Sequence, residues 1–280
     1  MIWTVKGRAL KCGGRTLVMG ILNVTPDSFS DGGKFLDPEA AVARGVRMLA
    51  EGADIVDVGG ESTRPGSEPV SEAREIERVV PVIAALSRLP GALVSVDTTK
   101  ARVAEEALAA GAAIINDVTA LRGDPRMASV AAASGAGVVL MHMLGSPKSM
   151  QESPVYGDVV AEIAAFLKER MAAAAAAGIA RDAVVVDPGI GFGKTLEHNL
   201  EILRRLREFA ALGRPLLVGP SRKSFIGGIL DGLPPKDRLE GTAAAVALCA
   251  AGGAAIVRVH DVLAMSRVVR VADAIRDGKV

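Results

Sequence analysis

Aromatic side chains are scarce: Phe, Trp and Tyr make up 3% of the 280 residues and stand singly, so there is no stacking platform for single-stranded nucleic acid. Histidine is rarer still. His142, His198 and His260 have none of the short spacings of a histidine metal motif, which argues against a zinc or iron enzyme. The two cysteines, Cys12 and Cys249, lie far apart, which excludes a disulfide framework and fits a reducing compartment. Charge of one sign is not in excess. A net charge of +1 supplies no bulk attraction to nucleic acid or to an acidic membrane surface. Long hydrophobic runs are also missing. The longest, 243–257, is broken by Gly252-Gly253 and falls short of the ~20 residues that span a bilayer. It reads as a buried helix followed by a buried strand. The first residues, MIWTVKGRALKCGG, have no apolar core of signal-peptide length, so a cytoplasmic protein is expected.

What the chain does have is hydrophobic residues, at 50%, in short β-branched runs that alternate with helical stretches. Eight runs read as strands: 16–23, 53–60, 93–98, 113–119, 137–143, 183–189, 215–221 and 255–261. They are nearly continuous apolar runs, as in parallel strands covered by helices on both faces. The intervening stretches are rich in Ala, Leu, Glu and Arg. One opens on Asp37-Pro38, a favourable N-cap and first-turn pair, and the next on Ser71. Eight strand–helix units in series predict an α/β fold of the (β/α)8 TIM-barrel type, which needs about 250 residues. A doubly wound sheet is the alternative, but no GxGxxG follows the first strand. Residues 1–15 read as a short hairpin turning at Gly7-Arg8 or Gly13-Gly14, and 16–280 as the barrel. No linker or composition shift divides 1–280, so one domain is expected.

Polar residues sit at the ends of these apolar runs: Asn23, Asp57, Asp97, Asn116-Asp117, His142 after Met141, Asp187, Ser221, and Arg258 with His260 and Asp261. A barrel gathers strand ends at its C-terminal mouth, where active sites form. A carboxylate there is costly unless paired, so the set as a whole points to a binding site. The long polar loops 24–37 and 61–69 read as lids over that mouth. GPSRKSFIG (219–227) leads into a helix and would suit an anionic or carbonyl-bearing ligand. DPGIGFGK (187–194) lacks Walker spacing and reads as a tight turn presenting Asp187 and Phe192, with Lys194 a solvated loop cation.

NVTPDSFSDGG (23–33), GGESTRPG (59–66), DPGIGFGK, SRKSFIG (221–227) and RVHDV (258–262) come in one order across nearly the whole chain. Together they resemble the bacterial dihydropteroate synthase family; Pro220 is a small departure beside the matching Ser221, Arg222 and Lys223. The resemblance implies a transferase of folate synthesis. Such an enzyme condenses 6-hydroxymethyl-7,8-dihydropterin pyrophosphate with 4-aminobenzoate and is a target of sulfonamides. It implies that Asp97, Asn116, Asp187 and Lys223 hold the pterin, with Met141 near the ring and Arg258 stacked on it. Asp97, Lys223 and Arg258 are the implied catalytic groups. Asn23 matches a ligand of the Mg2+ that accompanies the pyrophosphate, and Arg64, Arg258 and His260 match pyrophosphate-binding groups. Thr63 matches a position touching the pterin pyrophosphate beside the 4-aminobenzoate site, whose implied walls are Phe29, Pro65, Phe192 and Ser224. A homodimer is implied, with small molecules as the only other partners. The alternatives are a methyltetrahydrofolate-binding methyltransferase, which would have no use for Arg64, Lys223 or the SFSDGG lid, and a non-catalytic pterin-binding relative.

The chemistry is consistent with the residues. A pterin presents N–H donors and a carbonyl, which Asp97, Asn116 and Asp187 can accept and Lys223 can serve. Displacement of pyrophosphate by an arylamine needs charge stabilisation and positioning but no Ser or Cys nucleophile, because the arylamine is already uncharged.

Overall fold

The computed structural model describes residues 1–25, 37–62, 67–146 and 149–278. The chain opens with an antiparallel hairpin, β1 (Ile2–Val5) and β2 (Arg8–Lys11). It turns at Lys6-Gly7, one residue before the first expected turn, with φ of 45° and 75°. Two positive φ values give the turn a twist that matches the flanking strands.

Eight parallel strands follow: β3 (Leu17–Asn23), β4 (Ile55–Gly59), β5 (Val94–Asp97), β6 (Ile114–Asp117), β7 (Gly137–Met141), β8 (Val184–Asp187), β9 (Leu217–Val218) and β10 (Ile256–Val259). They pair in the order β8-β7-β6-β5-β4-β3-β10-β9. A parallel bridge between Val186 and Leu216, with Val186 N–H donating to Pro215 O at 3.1 Å, closes the ring between β8 and β9. The expected (β/α)8 barrel is therefore present. The seventh expected strand, 215–221, keeps only two residues of ladder. Pro215 and Pro220 carry no N–H to donate, and pairing on the N-terminal side continues through the Leu216 bridge and the Pro215 carbonyl.

The outer layer comprises α1 (Pro38–Ala50), α2 (Glu72–Ser87), α3 (Ala101–Ala109), α4 (Met127–Ser134), α5 (Val159–Ala176), α6 (Leu196–Arg204), α7 (Ser224–Ile229), α8 (Leu239–Ala251) and α9 (Val262–Asp277). The Asp37 carboxylate caps α1 by accepting from Glu39 and Ala40 N–H, and Ser71 caps α2. No helix of the described residues is long and apolar enough to cross a membrane.

Strand residues divide by parity. Val18, Val56, Val94, Val138, Val184 and Val257 pack in one core with the helices. Met19, Ile55, Ile114, Val139, Val185 and Leu217 pack in a second core with Trp3 and Val5 of the hairpin. The hairpin thus plugs the N-terminal end of the barrel, and Trp3 Nε1 donates to Ala183 O at 2.8 Å. Two residues further along each strand, the same inward face reaches the opposite end of the barrel. The apolar side chains give way there to Asp57, Asp97, Asn116, Met141, Asp187 and Arg258.

Candidate active site

Register aligns this inward layer: Asn23 lies opposite Gly59, Gly59 opposite Asp97, Asp97 opposite Asn116, and Met141 opposite Asp187. Arg258 ties the layer together. Its Nε donates to Asp57 Oδ2 at 2.6 Å and a terminal nitrogen donates to Asp97 Oδ2 at 2.6 Å. Two carboxylates hold the edge of the guanidinium plane, which leaves its faces available for stacking on a flat ring. Asn116 Nδ2 donates to Asp57 Oδ2 at 2.9 Å. That bond orients the amide and leaves its carbonyl oxygen as an acceptor.

Strand-end polarity marks Asp57 but predicts no specific role for it, and it belongs to the same network. It is fully buried, and its Oδ1 has no partner among the described residues. The available signal was a carboxylate in the middle of the apolar run IVDVG, where only a paired charge is tolerated. Parity also separates two adjacent acids. Asn116 faces inward, whereas Asp117 accepts from Thr119 N–H and Oγ and from Leu121 N–H. Asp117 thereby holds a turn in which Ala120 and Leu121 take φ of 53° and 65°. Its role is structural.

Burial shifts the acids upward. Desolvation raises Asp97 to about 7 against the pull of Arg258, and raises Asp187 to about 6 against the Gly189 N–H bond and Lys223. Burial, helped by Arg258, lowers Lys223 to about 8. The Lys223 ammonium lies 4.0 Å from the centroid of the Phe192 ring, a cation–π contact at the edge of the mouth. Phe192 packs with Met141, Met143 and Met150, and Ser224 is exposed one residue beyond Lys223.

One expectation needs correction. Lys194 is not a solvated cation; it is 3% exposed, with its ammonium 2.9 Å from Phe192 O and 3.0 Å from His142 Nδ1. His260, implied to meet the pyrophosphate, is neutral in the free protein. Burial and the cations Arg222 and Arg258 lower it to about 3. The Ser221 hydroxyl accepts from the His260 backbone N–H at 3.2 Å and lies 3.0 Å from the ring Nδ1. A neutral imidazole still carries one ring N–H to donate. The loop before α7 offers Lys223 to the mouth, while Arg222 forms a bidentate pair with Asp261. A helix of six residues also adds little dipole of its own.

The glycines of the β8–α6 turn are structural, as expected. A Cβ at Gly189 would lie 1.9 Å from His142 O, and one at Gly193 2.7 Å from Leu144 O, both at left-handed φ. At the base of the second loop, Lys100 bridges Glu61 and the buried Glu75. Phe29, Thr63, Arg64 and Pro65 lie outside the described residues.

For Mg2+, the fit is partial and chemically coherent. Among the described residues no group of three or more His, Cys, Asp or Glu could hold a metal ion, so no all-protein site exists there. Asn23 presents a half-buried amide at the end of β3, within the ring of strand ends. One neutral oxygen suits an ion that takes its other ligands from phosphate and water.

Residues 19–260 match the family model described as pterin binding enzyme. The chain is 49% identical to the dihydropteroate synthase of Synechocystis over 94% of its own length and 91% of the relative's. A crystal structure of the Yersinia pestis dihydropteroate synthase with a sulfonamide drug complex superposes with a TM-score of 0.93 at 46% identity, covering 99% of this chain and 100% of that one. The Xanthomonas albilineans dihydropteroate synthase with 4-aminobenzoic acid superposes with a TM-score of 0.91 at 46% identity, covering 98% of each. With a likeness that spans the barrel, its hairpin plug and the polar ring at the mouth, the chain belongs to the dihydropteroate synthase family of pterin-binding enzymes.

Proposed function

We propose that the barrel mouth condenses 6-hydroxymethyl-7,8-dihydropterin pyrophosphate with 4-aminobenzoate to give 7,8-dihydropteroate and pyrophosphate. The observation that carries this reading is the inward ring itself. Asp97, Asn116 and Asp187 are acceptors at the ends of β5, β6 and β8, Lys223 is the facing donor, and Phe192 walls the adjacent space. Each unmatched buried donor would cost about 1–3 kcal/mol, so this ring selects a pterin edge over other heterocycles.

In the reaction, the bond from the pterin methylene carbon to the pyrophosphate oxygen breaks and one from that carbon to the arylamine nitrogen forms. The nitrogen then releases a proton to water or to the departing pyrophosphate. Positive charge developing on the methylene spreads into the ring, where the Asp97 carboxylate favours it. Arg258 stacks on the ring, and the neutral His260 donates a ring N–H toward phosphate oxygen. Arg64 and Thr63 serve the pyrophosphate from the second loop, while Phe29, Pro65 and Ser224 complete the arylamine wall. Asn23 would hold Mg2+, which when bound offsets charge on the leaving pyrophosphate.

The test is pyrophosphate release on mixing the protein with both substrates and Mg2+. Release that requires 4-aminobenzoate and stops on chelation supports the whole reading. Release without the arylamine would make the protein a hydrolase, and no release would favour the non-catalytic pterin binder. Sulfonamides copy an arylamine bearing an acidic group and should compete with 4-aminobenzoate. Tighter 4-aminobenzoate binding with pyrophosphate, Mg2+ and a pterin present is expected if the loops organise the second site.

The active form is a homodimer in the cytoplasm. Leu248, Val271 and Ile275 are 68%, 61% and 78% exposed on the paired helices α8 and α9, beside a shallow groove of Ala243, Ala244, Ala247 and Val268. An apolar face of this kind suits a self-complementary two-fold contact. The double substitution Leu248→Glu with Ile275→Glu should halve the mass measured by light scattering without disturbing the barrel. An unchanged mass would place the interface elsewhere.

A further inference from the structure

The buried Lys194 has no part in the reaction above, yet a lysine amine is unfavourable to bury, and desolvation lowers it to about 7 against the pull of Asp187. Its surroundings account for it. The turn between β8 and α6 exposes three successive carbonyls, and each accepts a hydrogen bond from a side chain. Gln151 Nε2 donates to Gly191 O at 2.8 Å, Lys194 Nζ to Phe192 O at 2.9 Å, and Tyr156 Oη to Gly193 O at 2.8 Å. Gln151 and Tyr156 come from the segment between β7 and α5, so two loops are locked together at the mouth.

The donors are themselves held. Lys194 Nζ also lies 3.0 Å from His142 Nδ1, and burial lowers that imidazole to about 3, keeping it a neutral acceptor. The His142 ring meets Phe166 edge-on at 4.8 Å, and Tyr156 meets His198 edge-on at 4.9 Å. His198 belongs to the capping box that starts α6. On its other side the turn supports the site: Phe192 lies under the Lys223 ammonium, and a Cβ at Gly191 would fall 2.9 Å from Lys223 Cδ. With its carbonyls pinned and its glycines packed against backbone, this wall is ordered before a ligand arrives, which lowers the entropic cost of binding.

We propose that Lys194, with Gln151 and Tyr156, is a positioning residue of the 4-aminobenzoate site, clamping the 189–193 turn so that the Phe192 ring stays fixed beneath Lys223. The inference rests on the assignment of Phe192 to the arylamine wall. It adds the residues that set where that wall stands.

The test compares wild type, Lys194→Met and Tyr156→Phe, the second of which removes one oxygen and keeps the ring. KM for 4-aminobenzoate should rise about tenfold in Lys194→Met and about threefold in Tyr156→Phe, each tenfold step being ~1.4 kcal/mol. KM for the pterin pyrophosphate should stay within about twofold of wild type, a change well below one tenfold step. Phe192→Ala added to either variant should bring no further loss beyond Phe192→Ala alone, as expected of residues acting through one ring. Amide hydrogen exchange at Gly191, Phe192 and Gly193 should quicken in both variants without any ligand. Unchanged KM for 4-aminobenzoate, an equal rise for both substrates, or losses that add to those of Phe192→Ala would each overturn the proposal. If wild type itself shows no turnover, the reaction assignment fails. The exchange rates and a direct titration with 4-aminobenzoate then judge the clamp separately: unchanged exchange or unchanged affinity overturns it, and the expected changes in both sustain it.

Discussion

Replacing Asp97 by Asn should lower kcat by about 10²–10³-fold, the usual loss when a charge-stabilising group is removed from a reacting centre. The fold should survive. Asn keeps the shape and can still accept one bond from Arg258, which retains Asp57 as its second carboxylate. Losing one charge-assisted bond should lower the melting temperature by about 2–4 °C. The measurements are single-turnover rates at saturating substrate and a thermal melt. A kcat within a few-fold of wild type would remove Asp97 from the chemical step. A collapse of the melt with kcat intact would show that its part is to hold Arg258.

Pterin affinity should follow a bell-shaped pH curve. Asp97 at about 7 and Asp187 at about 6 must be ionised to accept pterin N–H groups, so affinity should fall as pH drops below neutrality. Lys223 at about 8 is charged only below that value, so affinity should also fall as pH rises through it. The acid limb belongs to the interacting carboxylates as a set and not to either one. Lys223→Met should weaken binding at pH 7 by about 1.5–3 kcal/mol, as expected for a hydrogen bond to a charged donor. It should also abolish the alkaline limb while keeping the acid one. Titration with a pterin lacking pyrophosphate isolates these contacts from the anion site. An alkaline limb that persists in Lys223→Met would assign it to another group, and unchanged affinity would mean that Lys223 does not meet the pterin.

Much of the architecture could be read in the sequence because it follows from local pattern. Apolar runs of strand length separated by helical stretches specify parallel strands under helices, and Asp37 and Ser71 mark helix starts where the caps are found. The DPGIGFGK turn was legible as structure, because glycines at close spacing signal left-handed backbone packed against other chain. Strand-end polarity located the mouth, and the motif order located the family.

What the sequence could not decide was how each polar group is partnered, since partners come from strands tens to hundreds of residues apart. Parity along β6 turns Asn116 into the site and Asp117 into a turn, although the two are neighbours in an apolar run. Asp57 gains its place only when β10 brings Arg258 beside β4. Lys194 reads as a loop cation by composition and is buried in fact, because the aromatic cluster of His142, Tyr156 and His198 closes over the turn it serves. The sequence leaves the charge of His260 open, and it is neutral in the free protein because burial beside Arg222 and Arg258 disfavours a further positive charge. Local pattern determined the barrel and where its mouth lies. Burial and long-range pairing, which set the charge and hydrogen-bond state of each side chain, were decided only by the tertiary structure.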